Sequence, residues 1–217
     1  MNSSQVKLKL DYCSHEAARF AVEKWHYSKT MPNGKIVKIG IWEDDKFIGC
    51  VLFGNGANNH IGCPYGLKQT ECIELLRIAI KKHVSQVSKI IKVAIRLLLK
   101  ISPNLKLIVS YADTKQGHVG SIYQASNFIY VGESIAQSVL FNGKKTHGKS
   151  LSDRFGFGGI DKLKQIDPKA KIIHELPKHK YLYPLTEDIK ELCKKLSKPY
   201  PKRIADDSNS VQQDVAV

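Results

Sequence analysis

The stretch SYADTKQGHVGSIYQASNFIYVG, residues 110–132, carries the reading of this chain. It closes an apolar run (Leu105, Leu107, Ile108, Val109) and breaks it with the polar tip Tyr111-Ala112-Asp113. A glycine-containing turn follows, then the short helix-like segment GSIYQAS, then a β-rich run from Phe128 to Val131. Such a layout is a strand ending in an acid, a helix offering a tyrosine, and a strand that returns at once. It sets Asp113 just beyond a strand's C-terminal end, where open α/β sheets place their ligands.

Outward from this stretch the elements fall in order. LKLDYCS reads as a first strand, and His15 to Lys24 as a helix with Ser14 as its N-cap. WHYSKTMPNGK is a loop, marked by Pro, Asn and Gly in succession. Lys35 to Trp42 and Lys46 to Phe53 form a hairpin across Glu43-Asp44-Asp45. GNGANNHIGCPYG is a long Gly/Asn-rich loop of functional length. The dense apolar run ECIELLRIAI, residues 71–80, is a buried strand, and residues 87–100 are a helix with a wide apolar face. The alternation predicts a mixed α/β fold. After Gly159 the character changes to Lys- and Pro-rich sequence with a helix from Glu187 to Leu196. The last residues, from Ala205, lack large apolar side chains and are expected to be disordered.

The chain has 217 residues, 42% of them hydrophobic, enough for one domain with a real core. Its formal net charge of +14 makes a polyanion the first partner to consider. Five cysteines stand scattered without a CxxC pair, which argues against a disulfide framework or a cysteine-based zinc site and for a reducing compartment. His60, His118 and His147 are single, so spacing supports no metal site. Neither a long apolar stretch nor a signal-peptide core is present, and a cytoplasmic protein without membrane contact is expected.

The segment KKHVSQVSK, residues 81–89, opens the long helix after the buried strand. A helix N-terminus offers free amides and a positive dipole end, which suit a phosphate. Ser85 and Ser88 are the candidate contacts there.

Five separated blocks, in one order, carry a family resemblance: WHYSKTMPNGK (25–35), IGIWEDDKFIGCVLFGNGAN (39–58), CPYGLKQTECIELLRIAI (63–80), residues 110–132, and THGKSLSDRFG (146–156). Together they resemble the Mom proteins of Mu-like phages, which have a GNAT-like acyltransferase fold. The resemblance implies a mixed central sheet flanked by helices over residues 1–160. A basic C-terminal extension (161–204) and a disordered tail (205–217) would follow. It also implies a transferase that adds a carbamoylmethyl (acetamido-type) group to the exocyclic amine of adenine, protecting phage DNA from restriction. The partners implied are double-stranded DNA and acetyl-CoA or a related acyl donor. The serines of the loop stand where acetyltransferases usually carry glycines, and a plain acetyl transfer would give a different product, so the donor is left open. Two other readings remain: an acetyltransferase acting on a small amine or protein, and a non-catalytic DNA-binding protein on the same scaffold.

Within that frame His26 and Tyr27 supply acceptor-side groups, Asp113 fixes the adenine amine or orients His26, and Tyr123 holds or protonates the donor, the role its counterpart has in many acetyltransferases. Against this, His26 and Tyr27 can be a packed pair beside Trp25, Asp113 a turn cap, and Tyr123 a half-buried helix residue. Arg77 interrupts an apolar strand and needs a partner. On an ideal strand Glu74 would face the other way, so Glu71, Asp113 or a nucleotide phosphate is expected to fill that part. The role of Glu74 stays open. Chemistry on a base in a duplex requires extruding it, and Tyr65 in the flexible loop is expected to cover the pocket. Lys144, Lys145 and Lys149, with Arg154, are expected to track phosphates.

Overall fold

The computed structural model describes residues 6–56, 60–146 and 148–202. The chain begins with β1 (Leu8–Tyr12) and α1 (His15–Trp25), followed by the hairpin β2 (Ile36–Glu43) and β3 (Lys46–Gly54). Next come β4 (Cys72–Ile80), α2 (Val87–Ile101), β5 (Leu107–Asp113) and the short α3 (Ser121–Ala125). The last part holds β6 (Ile129–Phe141), β7 (Lys144–Thr146), α4 (Gly148–Phe155), α5 (Ile160–Ile166), β8 (Lys171–Pro184) and α6 (Glu187–Leu196). Among the described residues the strands form one sheet in the order β1-β2-β3-β4-β5-β8-β6-β7. This is the mixed α/β architecture, a central sheet flanked by helices, anticipated from the sequence.

Local chemistry explains the elements. The Ser14 hydroxyl accepts the Ala17 amide at 3.1 Å and starts α1, as its place in the sequence predicted. Asp44 and Asp45 adopt φ of 47° and 61°, the left-handed pair that a two-residue hairpin turn demands and that Asp tolerates. On one face of the sheet, Ile90, Ile91, Ala94, Ile95 and Leu98 of α2 pack with Tyr123 of α3 on Ile39, Val51, Phe53, Leu75 and Ile108. On the other, Ala18, Ala21 and Val22 of α1 lie against Cys50, Leu52 and Ala79, and α6 packs Ile189 and Cys193 on Leu107, Val109 and Leu182. Each fully buried aliphatic side chain of this kind stabilises the fold by about 1.5–3 kcal/mol relative to exposure.

Two features of β4 position the site. Leu52 pairs with Arg77 and Phe53 with Leu75, so Leu76 is an extra residue, a β-bulge. The extra residue resets the alternation. Leu75 and Ile78 both join the α2 face, while Glu74 and Arg77 share the α1 face. An ideal strand would have put Glu74 and Arg77 on opposite faces, so that expectation is corrected here. The second feature is the parallel pairing of β4 with β5, which runs from Cys72↔Leu107 to Leu75↔Ser110 and then stops, although both strands continue. A gap therefore opens between their C-terminal ends.

The expected boundary near residue 160 is also corrected. Residues 171–184 are not part of an appended extension: β8 lies inside the sheet, antiparallel to β5 from Leu107↔Pro184 to Asp113↔Lys178 and antiparallel to β6 on its other side. Beyond Glu133, β6, β7 and β8 carry α4 and α5 over a small core of Phe141, Leu151, Leu163 and Ala170. The tail from residue 205 lies outside the described residues. Among those described, no helix is long and apolar enough to cross a membrane.

Candidate active site

A cavity of about 50 Å³ lies at the β4–β5 gap, lined by His26, Tyr27, Glu74, Leu75, Leu76, Arg77, Ile78, Tyr111, Asp113, His118, Tyr123 and Lys178. Ligand clefts are usually several times larger, so this space takes a reacting group rather than a whole base. A larger hollow of about 380 Å³ lies elsewhere, beside Lys68, Glu71 and Lys106. Of its charged groups, Lys106 and Glu71 form a partly exposed pair at 2.7 Å that satisfies both, and Lys68 stands beside them. The smaller cavity is the candidate site because it brings together all four of the expected catalytic residues.

His26 ends α1 and is only 2% exposed. Its Nδ1 accepts the Ser28 backbone N–H at 3.1 Å, with the Ser28 hydroxyl 2.8 Å away. A backbone amide can only donate, so Nδ1 carries no proton and the neutral ring holds its proton on Nε2. Burial, then the charge of Arg77 and the proximity of His118 and Lys29, push its pKa down to about 3. His26 is thus a neutral hydrogen-bond donor at neutral pH. Its ring lies 4.3 Å from that of Tyr27, whose hydroxyl is close to the Asp113 carboxylate. Burial first, and Asp113 second, raise the Tyr27 pKa, so the phenol keeps its proton. Asp113 also caps the turn that follows β5, accepting the Lys115 amide at 3.1 Å. The cap leaves the carboxylate in the lining of the cavity.

Tyr123 is 4% exposed, and its ring packs on Phe128 and Tyr181. Its hydroxyl lies near the Ser110 side chain, which donates to the Leu75 carbonyl at 3.0 Å. Tyr123 is therefore locked at the floor of the gap, where the β4–β5 ladder ends, and burial raises its pKa.

Glu74 is the residue whose role the sequence left open. Burial raises its carboxyl to about 7, against the lowering pull of Arg77 and Lys178. Gly56 keeps it in place: with φ of +62°, a Cβ there would lie 1.9 Å from the Glu74 Oε2. Arg77 donates from Nη1 to the Leu76 carbonyl at 2.7 Å, and its buried Nε has no hydrogen-bond partner among the described residues. Neither Glu71, which pairs with Lys106, nor Asp113 meets Arg77 in an ion pair; the carboxylate whose charge it feels is Glu74. Glu74, the second glutamate of ECIELLRIAI, was the only available signal, because the bulge that joins it to Arg77 is not visible in sequence.

The remaining expected contacts lie elsewhere. Tyr65 is not on a mobile cover: it is 8% exposed, packed with Leu107 and Leu182, and the Lys180 ammonium sits 4.9 Å over its ring. Burial raises its pKa. Residues 57–59 of the same loop lie outside the described residues. Lys144 is exposed on β7, whereas Lys145 is paired with Glu175 at 3.0 Å. Lys149 falls in α4, and its side chain lies outside the described residues.

At the start of α2 the amides of Val84 and Ser85 are already engaged. They donate to the Glu43 carboxylate, Ser85 at 2.7 Å and Val84 at 3.2 Å to each oxygen. The Ser85 hydroxyl lies near the same carboxylate. Ser88 stands half-buried in the first turn of α2. A pyrophosphate therefore does not fit this seat as it stands, and Ser85 is not available as the expected cofactor contact.

Residues 7–202 match the Mom protein family. The chain belongs to that family. Its sequence is 24% identical over 205 residues to the methylcarbamoylase Mom of Escherichia phage Mu, covering 90% of this chain and 84% of that protein. Among solved structures, it is similar to FeeM, an N-acyl amino acid synthase from uncultured soil microbes, at TM-score 0.49 and 10% identity over 87% of this chain and 96% of that one. An acetyltransferase from Bacillus subtilis in complex with CoA aligns at TM-score 0.42 and 12% identity, over 84% of this chain and all (100%) of that one. The cavity residues of this Mom-family chain come from β4, β5, α3, β8 and the loops after α1 and before α3, so the site draws on elements along most of the matched segment.

Proposed function

We propose that this protein is a transferase that places a carbamoylmethyl group on the exocyclic amine of adenine in DNA. The observation that carries this reading is the family match along residues 7–202, within which the phage Mu relative is a methylcarbamoylase. The cavity supports it by offering a role for each group the reaction needs.

The adenine amine is a weak nucleophile because its lone pair is delocalised into the ring. As the new N–C bond forms, the nitrogen must lose a proton, and the donor's leaving group departs with its bonding pair. Glu74 is the proposed base: a carboxyl near pH 7 is half ionised there, and its basicity matches the task. Arg77, with its unpartnered Nε, holds negative charge that develops on the donor. His26 donates from Nε2 to an acceptor nitrogen of the ring. Asp113, steadied by Tyr27, accepts the second hydrogen of the amine. Tyr123 sets the floor. The donor's chemistry is not drawn through the start of α2, since Glu43 occupies that place.

DNA is the proposed acceptor because the chain carries 34 Lys and Arg against 20 Asp and Glu. Lys178 stands at the cavity, exposed beside Asp113 in the sheet, where a phosphate flanking an extruded base would pass. The test is mass spectrometry of nucleosides from DNA of cells that express the chain. A deoxyadenosine carrying a carbamoylmethyl group is expected with wild type and absent with Glu74→Gln. Unmodified adenine from a folded, soluble wild-type protein would sink the reading, and acylated free amines in the same cells would point to the small-amine alternative.

A further inference from the structure

The Glu43 carboxylate ends β2, is 8% exposed, and receives three hydrogen bonds from two consecutive amides. β2 is held on both sides at this residue, by Leu8 of β1 and Lys46 of β3, so the side chain is fixed by the sheet and not by a loop. The segment it reaches is the one that precedes α2, whose N-cap residue Gln86 makes no side-chain capping bond. Convergent amides ahead of a 15-residue helix are an anion seat by their geometry, and the anion in it is this chain's own.

We infer that Glu43 is an internal occupant of the anion seat, and that it makes the protein select a group donor that is not anchored by a pyrophosphate at the start of α2. The bonds from Ser85 and Val84 outweigh the burial that would otherwise raise the Glu43 pKa, which is lowered, so the seat holds a charged carboxylate at neutral pH. Two basic side chains stand nearby. Lys81 is drawn over the Trp25 ring at 5.5 Å, and His83 turns its Nδ1 to the Lys81 carbonyl at 3.0 Å. A pyrophosphate entering here would meet a buried negative charge and would find the Val84 and Ser85 amides taken. Coenzyme A esters and nucleotide diphosphates are therefore excluded from this seat. The admissible donor carries its transferable carbon to the β4–β5 gap by contacts made elsewhere. This inference concerns the donor and holds whether the acceptor is DNA or another amine.

The experiment is a titration of coenzyme A, with inorganic pyrophosphate as a second probe, followed by the backbone amide resonances of Val84 and Ser85 and by calorimetry. Wild type is expected to show no movement of these two resonances. Glu43→Gln, which keeps shape and removes charge, and Glu43→Ala, which empties the seat, are expected to bind pyrophosphate at least about tenfold more tightly than wild type, the scale of a hydrogen bond to a charged group. Saturable shifts of Val84 and Ser85 in wild type would overturn the inference without any variant. Failure of both folded variants to gain binding would overturn it as well, because Glu43 would then not be what excludes the anion. Should Glu43→Ala unfold, Glu43→Gln and the wild-type resonances decide.

Discussion

Glu74 and Arg77 face the same side of β4, three positions apart, because Leu76 is bulged between them. The relationship gives the carboxylate a cation without a contact ion pair, and so leaves it basic enough to take a proton. Replacing Glu74 by Gln should lower turnover by about 10²–10⁴-fold, the usual span for a general base. In wild type the rate should rise with pH through a midpoint near the Glu74 value of about 7, because the ionised form is the base. The variant should lose that limb. A pH profile with the same midpoint in Glu74→Gln would remove Glu74 from the proton transfer.

Tyr27 and Asp113 stand close enough in the cavity for the phenol and the carboxylate to be coupled. Tyr27→Phe and Asp113→Asn should each reduce activity, and the double variant should lose less than the product of the two. Steady-state rates for the four proteins give the coupling, expected at about 1–3 kcal/mol for a bond to a charged group. Strictly multiplicative losses would mean that the two residues act apart.

Stability should fall as acid is added, and His26 is one cause. Its folded pKa, about 3, is below its ordinary value, so the native state resists protonation that the unfolded chain accepts. The associated stability is present above about pH 6.5 and is lost progressively toward pH 3. Glu74 works in the opposite sense: its raised pKa favours the fold at low pH and weakens it as pH climbs from about 4.5 to about 7. Thermal melts of wild type and His26→Gln at several pH values should show the variant losing less Tm between pH 7 and 4. Parallel curves would show that His26 is not buried neutral.

Neighbouring lysines on β7 should differ in their effect on DNA binding. Lys144 is exposed, while Lys145 is neutralised by Glu175, which also takes Lys115 and the Ser138 hydroxyl. Lys144→Ala should flatten the log–log salt dependence by roughly 0.9, one phosphate contact, and Lys145→Ala should change it less. Salt titrations of binding to duplexes of unrelated sequence measure both. Equal slopes for Lys144→Ala and wild type would move the DNA surface away from β7.

The first half of the fold was legible because its strands and helices bury continuous apolar faces: the hairpin around Asp44-Asp45, the run at residues 71–80 and the stripe of α2 each announce their period. β8 was not. Its sequence, KIIHELPKHKYLYP, is rich in charge, and only Tyr181 and Leu182 are buried. Pro177 argues against a central strand, yet it sits where the β8–β6 register shifts and just past the last β5 pair, Asp113↔Lys178, so no ladder bond to β5 is lost. In the site, His26, Tyr27, Asp113 and Tyr123 were legible as polar residues at element ends. The Glu43–Ser85 contact spans 42 positions and left no local trace, and Tyr65 misled because a Gly/Asn-rich stretch hides a packed 3₁₀ turn, Cys63–Tyr65.

The place of β8 has a consequence for how this protein comes into being. On a ribosome, β5 and β6 emerge well before the strand that must lie between them. Until residues 171–184 arrive, two bare sheet edges face one another across an empty lane, the kind of surface that joins wrongly with other chains. A chain interrupted anywhere before Tyr181 would thus be not a shorter protein but an unfinished sheet.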